Sequence, residues 1–392
     1  MAVSWDAIVV GARCAGAPAA MLLARAGYRV LLLEKARFPR DTLSTHYIHQ
    51  PGIACLAEWG LLDAVAATGA PPLARAIYQV EDVRLVGCSM PVDGQRAAYA
   101  PRRDVLDPIL ANAAARAGAE FRDGCTVTEL VWDEGRVTGL RYRDRAGATH
   151  EERARLVVGA DGMRSTVARL ADAPLILDDP LLTCVYYSYF TGVPADFELY
   201  EAPRRWIGCA PTNDGQTLIA AYFPQSEFDA VRADALPSYL ANIEQTAPDL
   251  YARVLSGQRI GRLYGTGDQR NFFRQAVGPG WVLIGDAGHH KDSISGRGIT
   301  DAFLQARLLA ECVGADLGED AALARFATER DELLGEHYQN TLIVAGLTVQ
   351  PDRLRLLRAI ATDPELVERY FSTVAGVISV EDLYPDELLT SA

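Results

Sequence analysis

Lysine is almost missing from this 392-residue chain, which carries it only as Lys35 and Lys291. Basic residues number 38 against 51 Asp and Glu, leaving a net charge of −13. That sign repels nucleic acid and anionic membranes, so neither is expected as a partner. No apolar run approaches the ~20 residues that a membrane helix needs. The seven cysteines form no CxxC pair and are odd in number, which excludes a zinc ribbon or a closed disulfide framework and suits a reducing compartment. No charged leader precedes the first apolar run. These absences lead to the expectation of a soluble, cytoplasmic protein without a metal; a monomer or homodimer is expected alongside, without a sequence feature that decides between them. Internal repeats and low-complexity tracts are absent too. With 49% hydrophobic residues, the chain can bury a large core as two domains or one composite unit.

The most informative stretch runs from Asp6 to Glu34. The apolar run Ala7–Val10 ends in a glycine turn, opens into an alanine- and leucine-rich segment, and returns as the apolar run ending at Glu34. Strand, tight turn, helix and strand make a βαβ unit. The unpaired N–H groups at such a helix start suit a pyrophosphate. Gly11 permits the turn and Gly16 lets the helix pack on the strand. Glu34, at the end of the second strand, is placed to accept ribose hydroxyls, which favours FAD or NAD over NADP. The run Gly11-Ala12-Arg13-Cys14-Ala15-Gly16 puts Arg13 where the middle glycine of G-x-G-x-x-G belongs. The motif alone leaves an ordinary βαβ unit open.

Farther along, residues 52–68 and 104–117 carry helical apolar stripes, and 126–158 reads as a strand meander around Gly135. Residues 181–219 change character to aromatic and β-branched runs broken by Pro and Gly, which predicts an antiparallel sheet. Residues 235–256 return to helix. A strand at 281–284 precedes a long apolar helix at 298–313, and successive helices follow from 320.

Two further segments have strands ending in glycine-flanked aspartates, Gly159-Ala160-Asp161-Gly162 and Gly285-Asp286-Ala287-Gly288. Strand carboxyl ends line the ligand crevice of an open α/β sheet. Asp286 can accept from ribityl hydroxyls there, and a helix starting at Gly298 can face a flavin carbonyl.

In this order and spacing, the three motifs resemble the FAD-dependent monooxygenases of the para-hydroxybenzoate hydroxylase-like fold, a superfamily shared with geranylgeranyl reductases and flavin halogenases. The resemblance spans roughly residues 5–320. It implies an α/β fold: a Rossmann-like FAD-binding domain (1–75, 98–180 and 270–320), an antiparallel β-sheet substrate domain (76–97 and 181–269) and a helical C-terminal region (321–392). Residue by residue, it implies cofactor contacts from Gly11, Arg13, Cys14, Ala15, Gly16 and Glu34. Lys35, Arg40 and Thr45, on the following loop, join them as candidates, as do Arg103 (with Arg102 a rival), Asp161, Gly162, Gly285, Asp286, Gly298 and Ile299. Halogenation is not expected: the WxWxIP segment of halogenases is replaced by Arg205–Pro211, and neither lysine fits their lysine.

His46 and His290 are the catalytic candidates, each weighed against a purely structural role. Tyr187, Tyr189 and Tyr222 are the substrate candidates, weighed against ordinary sheet packing. No second dinucleotide motif is visible, so NAD(P)H is expected as a transient reductant. The implied activity is hydroxylation of an aromatic or polycyclic small molecule with FAD, NAD(P)H and O2. The alternative is a reductase or oxidase of the geranylgeranyl reductase type, acting on C=C or C–H bonds without inserting oxygen.

Overall fold

The computed structural model describes residues 4–314 and 317–383. Its first strand, Ser4–Val10, is flanked on both sides by parallel partners, with Ile8 opposite Leu31 and Val157. That double flank is why Ala7, Ile8 and Val9 are fully buried and the run reads as continuously apolar. Around it the parallel order is Trp281–Leu283, Thr149–Gly159, Ser4–Val10, Val30–Glu34, Glu120–Asp123. A meander of Thr126–Asp133 and Arg136–Arg143 joins the edge of Thr149–Gly159. Helices Gly16–Arg25, Arg103–Arg116 and Gly298–Val313 pack through one apolar core that includes Met21, Leu23, Leu110 and Phe303.

The turn after the first strand needs its glycines. Gly11 sits at φ +100°, and a Cβ there would come 2.4 Å from the Ala160 carbonyl oxygen. A Cβ on Gly16 would come 1.8 Å from the oxygen of Gly11, so the helix can begin only this close with glycine.

The second sheet has seven strands, ordered Gln258–Thr266, Thr183–Thr191, Gln216–Pro224, Arg205–Pro211, Phe197–Ala202, Ala76–Val80, Val83–Gly87. Adjacent strands are antiparallel except for Phe197–Ala202 beside Ala76–Val80. Both faces are covered. Tyr186, Phe190 and Phe223 pack against the helices Ala235–Thr246 and Pro248–Ser256. Tyr187, Tyr189, Trp206 and Tyr222 face the C-terminal helices, represented in that core by Leu354, Leu357, Val367 and Phe371. Period-two alternation thus sends neighbouring aromatics of one strand into two different cores.

Two single helices expected from the sequence are each broken. Residues 52–68 divide into Gln50–Glu58 and Leu62–Ala66, because Gly60 takes φ +74° between them. Residues 235–256 divide at Pro248, which opens the second helix. No helix among the described residues is long and apolar enough to cross a membrane.

Candidate functional site

The carboxyl ends of the parallel strands open onto a cleft of about 550 Å³. Gly11, Arg13, Cys14 and Ala15 form one wall of it, with Glu34, Lys35, Arg40 and Thr45 beyond. Arg103, Asp161, Gly162, Asp286, His290, Gly298 and Ile299 complete the expected set along the same cleft. Two expected residues stand behind its surface. Gly16 is the packing glycine already described. Gly285 takes φ +57°, where a Cβ would meet that of Ala15 at 2.7 Å, and donates its N–H to Gln305 Oε1 at 3.0 Å.

Glu34 holds the turn as well as facing the cleft. Its two oxygens accept from the backbone N–H groups of Ala12 (2.9 Å) and Ala36 (2.8 Å). Arg13, standing in for a glycine, directs its side chain to the buried Asp107 at 3.5 Å and over the Phe38 ring. Of the paired arginines, Arg103 lines the cleft while Arg102 points away, to Asp41 at 3.0 Å and over the Tyr189 ring. Burial pushes the Cys14 thiol up to about 12, so it stays protonated and donates toward Asp107.

Asp161 spends its carboxylate locally, accepting from Ser165 Oγ (2.5 Å) and from the N–H groups of Thr166 (2.6 Å) and Val167 (3.2 Å). Burial raises its proton affinity in spite of those bonds. His290 places Nδ1 against the Arg270 carbonyl, so that nitrogen carries a proton. The same wall holds a buried cluster that the motifs did not single out. Lys291 pairs with Asp301, whose other oxygen meets Arg297 at 3.2 Å. Burial lowers the lysine's proton affinity. Burial also opposes the charge of Asp301, but Lys291 and Arg297 outweigh it and hold that carboxyl well below its usual range.

A second cavity of about 350 Å³ adjoins the cleft, and Thr45, Ser293 and Gly296 line both. Its floor is the seven-stranded sheet, through Leu199, Trp206, Gly208, Leu218, Ala220 and Tyr222. Its roof comes from the C-terminal helices, through His337, Ile343, Val344 and Val374. The motifs gave no sign of that roof; the apolar stripes of Asp320–Ala345 and Pro364–Ala375 were its only trace in the sequence.

Of the three tyrosine candidates, Tyr222 lines this cavity. Tyr187 and Tyr189 lie on the same face and pack on each other and on Tyr264. Neither they nor His46 line either space. His46 takes φ 63°, and its ring meets Tyr189, Nε2 to hydroxyl at 2.5 Å. Burial lowers its pKa to about 3, so the ring is neutral.

Residues 4–340 match the model of the FAD binding domain family. The chain belongs to that family. Among curated relatives of this flavoprotein is a digeranylgeranylglycerophospholipid reductase of Methanopyrus kandleri, 27% identical over 86% of this chain and 84% of its own. Among solved structures, the myxobacterial chondrochloren halogenase CndH superposes with a TM-score of 0.79, at 23% identity over 94% of this chain and 92% of its own. PqsL of Pseudomonas aeruginosa, a probable FAD-dependent monooxygenase, gives 0.72 at 21% identity over 95% and 99%. The chain is an FAD-dependent oxidoreductase of the α/β type expected.

The residues present fit the cofactor. Gly11 brings the backbone to the cleft where a side chain would clash, and the helices Gly16–Arg25 and Gly298–Val313 both start at the cleft without a side-chain cap. Uncapped starts leave N–H donors for a pyrophosphate and a ring carbonyl.

Proposed function

We propose that this flavoprotein is a monooxygenase hydroxylating a small aromatic or polycyclic molecule, with NAD(P)H as transient reductant and O2 as oxidant. The apolar cavity beside the cleft carries this reading. Its volume of about 350 Å³ suits a ring-bearing small molecule better than a lipid with two long prenyl chains. FAD supplies the redox chemistry when bound, taking electrons from NAD(P)H and passing them to O2 or to a substrate double bond.

The protein's part is position and dryness. The Gly11–Ala15 turn and the uncapped first helix are assigned to the pyrophosphate. Glu34, beyond its two backbone bonds, takes the ribose hydroxyls, and Asp286 takes the ribityl chain. The N–H groups at Gly298 and Ile299 would hold the ring carbonyl, and Arg103 lines the same cleft. His290, on the cleft wall, is the candidate proton-transfer group. The mostly apolar lining would keep the reacting centre poor in water, which suppresses side reactions there.

The curated relatives favour a second reading, reduction of a C=C bond without oxygen insertion. Turnover under ¹⁸O2 separates the two. Product carrying the label supports the monooxygenase; a reduced, unlabelled product formed equally well without oxygen establishes the reductase.

A further inference from the structure

A hydrogen-bonded chain of five side chains, Asp292, Thr183, Gln269, Ser293 and Tyr222, ends at the tyrosine of the apolar cavity. Gln269 sits in its middle, 3% exposed, and backbone contacts fix which way its amide points. Its Nε2 lies 3.3 Å from the Thr183 carbonyl, which can only accept, and its Oε1 lies 3.3 Å from the Ser293 N–H, which can only donate. The rest follows from donor counting. Nε2 also donates to Thr183 Oγ1 at 2.7 Å, and that hydroxyl spends its proton on Asp292 Oδ2 at 2.7 Å. On the other side Oε1 can only accept, so the Ser293 hydroxyl beside it must give its proton to Gln269. Ser293 Oγ is then an acceptor toward Tyr222, whose hydroxyl lies 3.0 Å away. The Tyr222 proton is therefore used inward.

We infer that Tyr222 presents only oxygen lone pairs to a ligand, so a ring compound held against it gains from carrying a neutral hydrogen-bond donor at that point, a hydroxyl or an amine, while Trp206 Nε1, which has no partner among the described residues, is left for a ligand acceptor elsewhere in the same cavity. This rests on the reading of the apolar cavity as the substrate site. The position suits it: Tyr222 lines that cavity, and its partner Ser293 lines both spaces, so the hydroxyl stands where they meet. A ligand acceptor placed there would face a lone pair, whereas a donor gains a bond in water-poor surroundings.

The test uses FAD-saturated protein and three probes of one ring system: 2-naphthol, 2-methoxynaphthalene and 2-acetylnaphthalene, with affinities read from calorimetry and from the flavin absorption spectrum. In the unaltered protein 2-naphthol should bind about tenfold more tightly than its methyl ether. Tyr222→Phe should erase that difference. Ser293→Ala should release the Tyr222 proton into the cavity and bring 2-acetylnaphthalene up by a similar factor, a gain that a purely structural role for Ser293 would not produce. Equal binding of the naphthol and its ether by the unaltered protein overturns the inference while leaving the cavity a ring-binding site. Failure of all three probes to bind overturns the substrate-site reading and the inference with it.

Discussion

Arg103 clasps Asp107 one helical turn away, Nε to Oδ1 at 2.8 Å and Nη2 to Oδ2 at 3.2 Å. Asp107 is wholly buried and also receives Arg13 at 3.5 Å and the Cys14 thiol. One carboxylate thus orients the arginine of the cleft and anchors the turn that carries the motif. Removing it leaves Arg103 buried without its counter-charge. Asp107→Ala should therefore cost about 3–5 kcal/mol of stability, measured by denaturant unfolding of the FAD-saturated protein. A loss below about 1 kcal/mol would show that water replaces the carboxylate.

Asp286 is exposed in the cleft, and no protein donor among the described residues bonds its side chain. That freedom is what a ribityl-binding carboxylate requires. Asp286→Ala should weaken FAD binding roughly ten- to hundredfold, the worth of a charge-assisted bond. Because the side chain supports no fold contact, apoprotein stability should stay within about 0.5 kcal/mol. Flavin fluorescence titration decides; unchanged affinity would move the ribityl contact elsewhere.

Buried neutral histidines set the acid limit of the fold. Burial brings His46, His49 and His337 each down to about 3, against an ordinary value of 6.5. Between pH 6.5 and 3 the unfolded chain binds protons there and the folded chain does not, so stability falls as pH falls through that window. Each histidine should contribute about 1.4 kcal/mol of loss per pH unit once well below 6.5. His49→Gln, which keeps a donor for the Ser295 carbonyl, should lose less stability between pH 7.5 and 5.5 than the parent protein does. Identical losses would place the acid sensitivity elsewhere.

The nucleotide half of this architecture was legible because its constraints are local. Gly11, Gly16 and the two Gly-Asp strand ends are demanded by backbone geometry, and backbone geometry has short sequence signatures. The substrate half was not, because its determinants are tertiary. Tyr187 and Tyr222 both face the C-terminal helices, yet only the placement of those helices puts Tyr222 at the cavity and Tyr187 under neighbouring rings. His46 shows the same limit: its loop borders the cleft, yet its ring is buried against Tyr189. Lys291 and Asp301, ten residues apart, meet only because the loop after Asp286 folds back onto the helix start.

The apolar cavity can be tested without disturbing the core around it. Gly208 lines its floor on the strand Arg205–Pro211, and its φ is not in the left-handed region. A Cβ at this position would meet nothing nearer than Leu199 Cδ2 at 3.8 Å, so a side chain there has room to start. Gly208→Phe directs a ring into space that a substrate would need, while the turn at Gly11 and the helix starts of the cleft stay untouched. FAD occupancy should therefore remain at the level of the unaltered protein. Product formation should fall by roughly a hundredfold, the effect of losing about 3 kcal/mol of apolar binding. Flavin absorbance and product yield, measured on the same sample, separate the two effects. Full turnover with the phenylalanine in place would put the substrate somewhere other than over the seven-stranded sheet.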